Sequence, residues 1–202
     1  MTDFKPFPKI ARLNRDMVVT EKLDGTNASI YIGEDGSMQF GSQNRWITLE
    51  DDHFGFARWG IEHRVELESL GPGMHRGEWW GSGIQRGYGL PEKRFSLFNA
   101  TRWAAHDQPL YLIESQDPLA PPKWQERPPE CCGVVPELYR GLFRTDQIDE
   151  CIQLLREHGS YAAPGYKFAE GIVIWHEAAR QLFKVTLEKD ELPKALSDRS
   201  AA

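Results

Sequence analysis

Between Asp16 and Ser42 the chain runs through three short stretches of strand-forming residues, DMVVTEK, ASIYIG and MQFGS, separated only by LDGTN and EDGS. Parallel neighbours need a crossover of a dozen residues or more, so connections this short predict an antiparallel arrangement. At 202 residues the chain is long enough for one compact core and too short for two ordinary ones. A single domain spanning residues 1–202 is therefore expected.

The rest of the chain continues the pattern. A helix is expected from about Glu50 to Leu70, where Phe54, Trp59, Ile61 and Val65 recur at irregular spacing before Gly71, Pro72 and Gly73 end it. RFSLFNA (94–100) and PLYLIES (109–115) read as strands, and the Pro-rich 117–130 segment as a surface loop. Thr145 is placed to cap a helix with Ile148, Ile152 and Leu155 on one face and Gly159 at its end. AEGIVIWHE and QLFKVTLEK close the fold as two strands, with a short helix or loose tail from Leu192.

Composition narrows the function classes. No apolar run approaches the roughly 20 residues a membrane helix needs, which argues against a membrane protein. MTDFKPFPKI has neither a signal peptide's apolar centre nor a transit peptide's Arg/Ser pattern, so a cytoplasmic location is expected. Cys131, Cys132 and Cys151 form neither an even disulfide framework nor a CxxC pair and are read as reduced and structural. A net charge of -6 opposes indiscriminate binding to phosphate backbones. Locally the balance reverses: between Arg76 and Trp103 five basic residues (Arg76, Arg86, Lys93, Arg94, Arg102) meet two acidic ones, Glu78 and Glu92. A polyanion is expected to bind there.

The most telling residue is a lysine. Lys22 sits where a strand passes into a loop, with Asp24, Gly25 and Asn27 directly after it. A lysine becomes a nucleophile when burial or a neighbouring cation exposes its free amine, and the Gly turn lets backbone approach a phosphorylated ligand. A lysine before a DG turn is also a common solvated residue.

The companions of this motif appear in order. EKLDGTN (21–27) resembles the nucleotidyl-transfer motif of the covalent nucleotidyltransferase superfamily, which includes ATP-dependent RNA and DNA ligases and capping enzymes. The flanking Glu and Gly-Thr-Asn are most similar to the phage RNA ligase 2 family. GSQNRW, RGEWWGSGIQRGYG, FSLFN, AEGIVI and LFKVT resemble that family's later motifs, so the likeness runs from Glu21 to Lys184. It implies an α+β nucleotidyltransferase domain, ATP-grasp-like, of antiparallel sheets flanked by helices, with the ATP pocket between sheets. It also implies that Lys22 takes up AMP from ATP, that Glu21, Asn27, Arg45, Glu78, Phe98 and Lys184 bind the nucleotide, and that Glu170 holds Mg²⁺. Within that set Glu78 takes the ribose hydroxyls, Phe98 stacks on adenine, and Asn27 serves the later steps. The implied partners are RNA 5′-phosphate and 3′-hydroxyl ends and an end-healing enzyme, with no membrane.

Each residue type also has a structural use. Phe98 fits a strand's buried face, Lys184 a snorkelling strand end, Arg45 a surface ion pair, and Trp79 and Trp80 core packing. Two departures stand against the family pattern. The second lysine of the last motif is replaced by Thr186, and only 18 residues follow Lys184, which implies a catalytic domain without an OB-fold or C-terminal domain. Two alternatives stay open on the residues: a DNA ligase or other nucleotidyltransferase on this scaffold, and an RNA-binding module that has lost sealing.

Overall fold

The computed structural model describes residues 3–113 and 121–188. The expected tail from Leu192, and part of the Pro-rich segment, lie outside the described residues.

Along the chain the elements are β1 (Asp16–Lys22), β2 (Thr26–Ile32), β3 (Met38–Ser42), β4 (Trp46–Ile47), α1 (Phe56–Glu62) and α2 (Arg64–Leu67), closed by a 3-10 turn at Glu68–Leu70. There follow β5 (Gly73–Gly81), β6 (Lys93–Leu97), β7 (Leu112–Ile113), β8 (Lys123–Trp124), β9 (Cys132–Val134) and β10 (Glu137–Leu142). Helix α3 (Thr145–His158) and strands β11 (Gly171–His176) and β12 (Gln181–Thr186) complete the order.

Two sheets carry the molecule. One has the order β10-β1-β11-β12 and is antiparallel throughout; the other has the order β4-β3-β2-β5-β6-β9 and is antiparallel except where β9 joins β6. The fold is thus α+β and mainly antiparallel. The hairpin expected at EDGS forms, pairing Ile30 with Phe40. The expectation for LDGTN needs correction: β1 and β2 do not pair but enter different sheets. The reason lies in burial. Residues 17–21 of β1 are all buried, which suits a central strand, whereas β2 alternates and covers a core on one face only.

The helix expected over Glu50–Leu70 is shorter and broken. Asp52 accepts hydrogen bonds from the backbone N–H groups of His53 and Ala57, fixing the turn that precedes α1. The backbone then leaves helical geometry at His63 before α2, and Gly71 ends the run at φ 77°. Thr145 is the first residue of α3 rather than its cap, which is Arg144. Sequence reading missed β4, β9 and β10, the first two only two and three residues long and the third only partly buried, and the segment expected as a loop holds the two-residue β8, which pairs with β7.

Three cores follow. Helix α1 covers one face of the six-stranded sheet, where Phe56 meets the rings of Trp59, Trp79 and Phe95. Helix α3 covers the four-stranded sheet through Cys151 and Leu155. A smaller cluster of Leu23, Trp80, Tyr88, Val135 and Ala163 sits beneath the β1–β2 turn. Trp79 and Trp80 point to opposite faces of β5 and both are buried, so both pack. All three cysteines are free. No helix among the described residues is long and apolar enough to cross a membrane.

Candidate active site

The site forms where the chain changes sheets. Lys22 ends β1, and residues 23–25 carry the chain across to β2. A Cβ on Gly25 would collide with the Trp79 carbonyl oxygen and lie 2.7 Å from Trp80 Cβ, so only glycine lets the turn press this closely on β5. Three groups then hold the turn. Glu78 Oε1 accepts from the Gly25 N–H at 2.9 Å, and the Tyr88 hydroxyl accepts from the Asp24 N–H at 2.8 Å. Arg86 Nε donates to Asp24 Oδ2 at 2.8 Å and its Nη1 to the Phe168 carbonyl at 3.1 Å, tying the turn to the segment that leads into Glu170.

Glu170 precedes β11, whose Gly171 stands opposite Lys22 in register. Its Oε1 accepts from Lys22 Nζ at 2.6 Å, while its Oε2 is buried with no hydrogen-bond partner among the described residues. Burial raises the Glu170 carboxyl above the ordinary range, and the Lys22 hydrogen bond opposes this. Burial also pushes Glu78 up to about 7, against the Gly25 N–H and the charge of Lys22. Two carboxyl groups with raised proton affinity therefore flank one amine. The orphaned Glu170 Oε2 is the kind of hard oxygen donor that fits a Mg²⁺ ion.

The six-stranded sheet extends this cluster into a groove. Asn27 stands opposite Glu78 and shares its face of the sheet. Asn27, Arg45, Arg76 and the half-exposed Phe98 line a groove of about 480 Å³. Arg45 makes a two-pronged ion pair with Asp51, its Nη2 lying 2.9 Å from Oδ1, so its guanidinium is engaged at the rim. The Arg76 carbonyl accepts from the Phe98 N–H at 3.0 Å, while its guanidinium makes no hydrogen bond or ion pair among the described residues.

Two predicted site residues stand apart. Lys184 lies on β12, two strands from β1, and its register with Val173 and Thr20 puts it on Lys22's face of the sheet; it is exposed and makes no ion pair among the described residues. Thr186 is level with Lys22 across Gly171, so the departure in the last motif falls in Lys22's own row. Glu21 turns the other way. Successive strand residues face opposite sides, and its carboxylate is buried toward α3, where Oε2 accepts from the N–H groups of Tyr161 and Ala162 at 2.8 and 3.0 Å. Its side chain anchors that loop and is not in the cleft.

The expected basic surface is largely neutralised. Arg86, Arg94 and Arg102 pair with Asp24, Glu92 and Glu126, which leaves Arg76 and Lys93 as its members without an ion pair among the described residues. Arg86 is thereby reassigned from gripping a polyanion to bracing the Lys22 turn. Arg86 and Tyr88 were legible only as parts of a Gly-rich segment whose spacing says nothing of what they touch.

Comparison with known proteins bears on the family and the fold. The model of the RNA ligase family matches residues 15–186. No curated protein matches the chain. Among solved structures, a lysine-to-alanine variant of Naegleria gruberi RNA ligase with ATP and Mn shares the fold at TM-score 0.54 and 20% identity, covering 88% of this chain and 52% of that one. The same ligase with PPi gives 0.53 and 18%, covering 94% and 53%. The chain thus spans about half the length of the solved ligases it matches.

Proposed function

Because the chain belongs to the RNA ligase family, we propose that it is an ATP-dependent RNA ligase that joins 5′-phosphate and 3′-hydroxyl ends through a covalent AMP on Lys22. One observation carries this reading: an amine at the end of a buried strand, 2.6 Å from a carboxylate whose second oxygen is buried and unpartnered.

The Lys22–Glu170 contact supports the first of three proposed steps. Glu170 Oε1 is the group placed to take the proton that the Lys22 ammonium must shed, and burial raises its affinity for that proton. The freed amine attacks the α-phosphorus of ATP; a P–N bond forms, the P–O bond to the β-phosphate breaks, and pyrophosphate leaves. The 5′-phosphate of the RNA then displaces Lys22 from the AMP, and the 3′-hydroxyl attacks that activated end, expelling AMP and sealing the strand. Glu170 Oε2 would hold Mg²⁺, which when bound supplies positive charge against the phosphates. Lys184, on the same face as Lys22, adds charge of the same sign where negative charge builds.

The six-stranded sheet binds. Glu78 faces the ribose, Phe98 offers a ring for the base, and Asn27 and Arg76 continue toward the RNA ends along the groove. Since sealing consumes 5′-phosphate and 3′-hydroxyl ends, an enzyme that makes such ends must act first.

Sealing of a labelled RNA nick by the purified chain tests the proposal. Joined product that requires both ATP and Mg²⁺ is expected, with less product from the same nick in DNA. ATP-independent joining, or binding of the nick with no joined product, would oppose it.

A further inference from the structure

On the helix-covered side of the six-stranded sheet, away from the cleft, three metal-binding side chains of different chemistry meet. His63 lies at the α1–α2 junction, Glu66 in α2, and Cys131 directly before β9. His63 Nδ1 and Glu66 Oε1 are 2.7 Å apart, and the ligand atoms of all three residues lie within 4.8 Å of one another. We infer that His63, Glu66 and Cys131 form a binding site for a borderline-soft divalent metal, Zn²⁺ or an ion of similar preference, separate from the ligase centre.

The donor set decides the ion. A thiolate, an imidazole and a carboxylate together suit Zn²⁺, whereas Mg²⁺ selects oxygen ligands and water. A tetrahedral Zn²⁺ with bonds of about 2.0–2.3 Å holds its donors about 3.3–3.8 Å apart, so the widest pair need close by no more than about 1–1.5 Å and the His63–Glu66 pair open by about half an ångström. Two of them need little persuasion: His63 and Glu66 sit three residues apart on one helical side, and Trp59 packs against the imidazole at 5.2 Å. Glu66 is exposed and His63 and Cys131 are partly accessible, leaving an entry path and a fourth position for water. On binding, the Cys131 proton is released to solvent and a metal–sulfur bond forms.

Such an ion would cross-link α2 to the start of β9, the short parallel edge of the sheet. Its consequence is stability rather than sealing: binding to the folded chain alone raises the unfolding temperature.

Titration of the chelator-stripped full chain with Co²⁺ tests this, because a cobalt–thiolate bond has a near-ultraviolet charge-transfer band. The band is expected in the native chain, lost in Cys131→Ser, and retained in Cys132→Ala. Zn²⁺ should displace the cobalt and raise the melting temperature, Mg²⁺ should do neither, and His63→Ala should weaken Zn²⁺ by at least the 10–100-fold that even outer-shell changes cost. Absence of the band, its survival in Cys131→Ser, or unchanged Zn²⁺ affinity in His63→Ala would overturn the site. His63→Ala alters a partly exposed side chain, so the test does not depend on the cysteine variant folding.

Discussion

The two sheets face one cleft and bring different chemistry to it. The four-stranded sheet supplies ions: Lys22 paired with Glu170, and Lys184 on the same face. The six-stranded sheet supplies a shaped polar and aromatic surface, with Asn27, Glu78, Arg76 and Phe98 along it. Their join is the three-residue turn at 23–25, so the Lys22 amine stands at the end of one sheet and the groove begins on the next. This contrast sets an expectation: changes on the four-stranded side should strike the chemical step, and changes on the other side should strike binding and stability.

The largest break in that comparison comes from Glu170→Gln. It keeps the shape and removes both the proton acceptor and the anionic oxygen donor, so AMP transfer should fall by about 100-fold or more while the fold persists. Single-turnover transfer of labelled AMP measures this; an equal fall in Glu78→Gln with Glu170→Gln near native would reverse the assignment of the two sheets.

Glu78 sharpens the contrast through pH. Its folded-state carboxyl is raised from 4.5 to about 7 by burial, so its contribution to stability is fully present below pH 4.5 and lost as pH rises through 7. Glu78→Gln keeps an acceptor for the Gly25 N–H and has no charge to bury. Above pH 7 the variant should therefore be the more stable chain by at most about 3 kcal/mol, with the gap closing toward pH 4.5. Urea unfolding at several pH values checks this, and a gap that does not change with pH would remove the buried carboxylate from the account.

Next comes the join itself. Gly25→Ala drives a methyl into Trp79 and Trp80 and should cost about 2 kcal/mol of stability, with a matching fall in AMP transfer as the turn shifts. A native melting temperature would show that the sheets meet more loosely than described. The smallest effect is expected at Arg45→Ala, which breaks an exposed ion pair worth less than about 1 kcal/mol. Melting should barely move, so any larger defect in RNA joining reports contact with substrate.

What could be read in the sequence divides along the same line. Strands β1, β2, β3, β11 and β12 carry local patterns and short turns, and the residues around Lys22, Glu78 and Glu170 stand inside ordered motifs. The partition into sheets was hidden, because pairing β1 with β10 and β11 joins residues more than a hundred positions apart. Side-chain direction was hidden for Glu21: adjacency to Lys22 in the chain places it on the opposite face of the strand. The bracing by Arg86 and Tyr88 depends on contacts across 62 and 64 residues, which no spacing rule encodes.

The proposed function rests on Lys22 carrying the nucleotide. Intact-protein mass spectrometry tests it on chain first treated with pyrophosphate to remove any bound AMP and then incubated with ATP and Mg²⁺. A gain of one AMP is expected in the native chain and none in Lys22→Ala. No gain in the native chain, or the same gain in the variant, would contradict it.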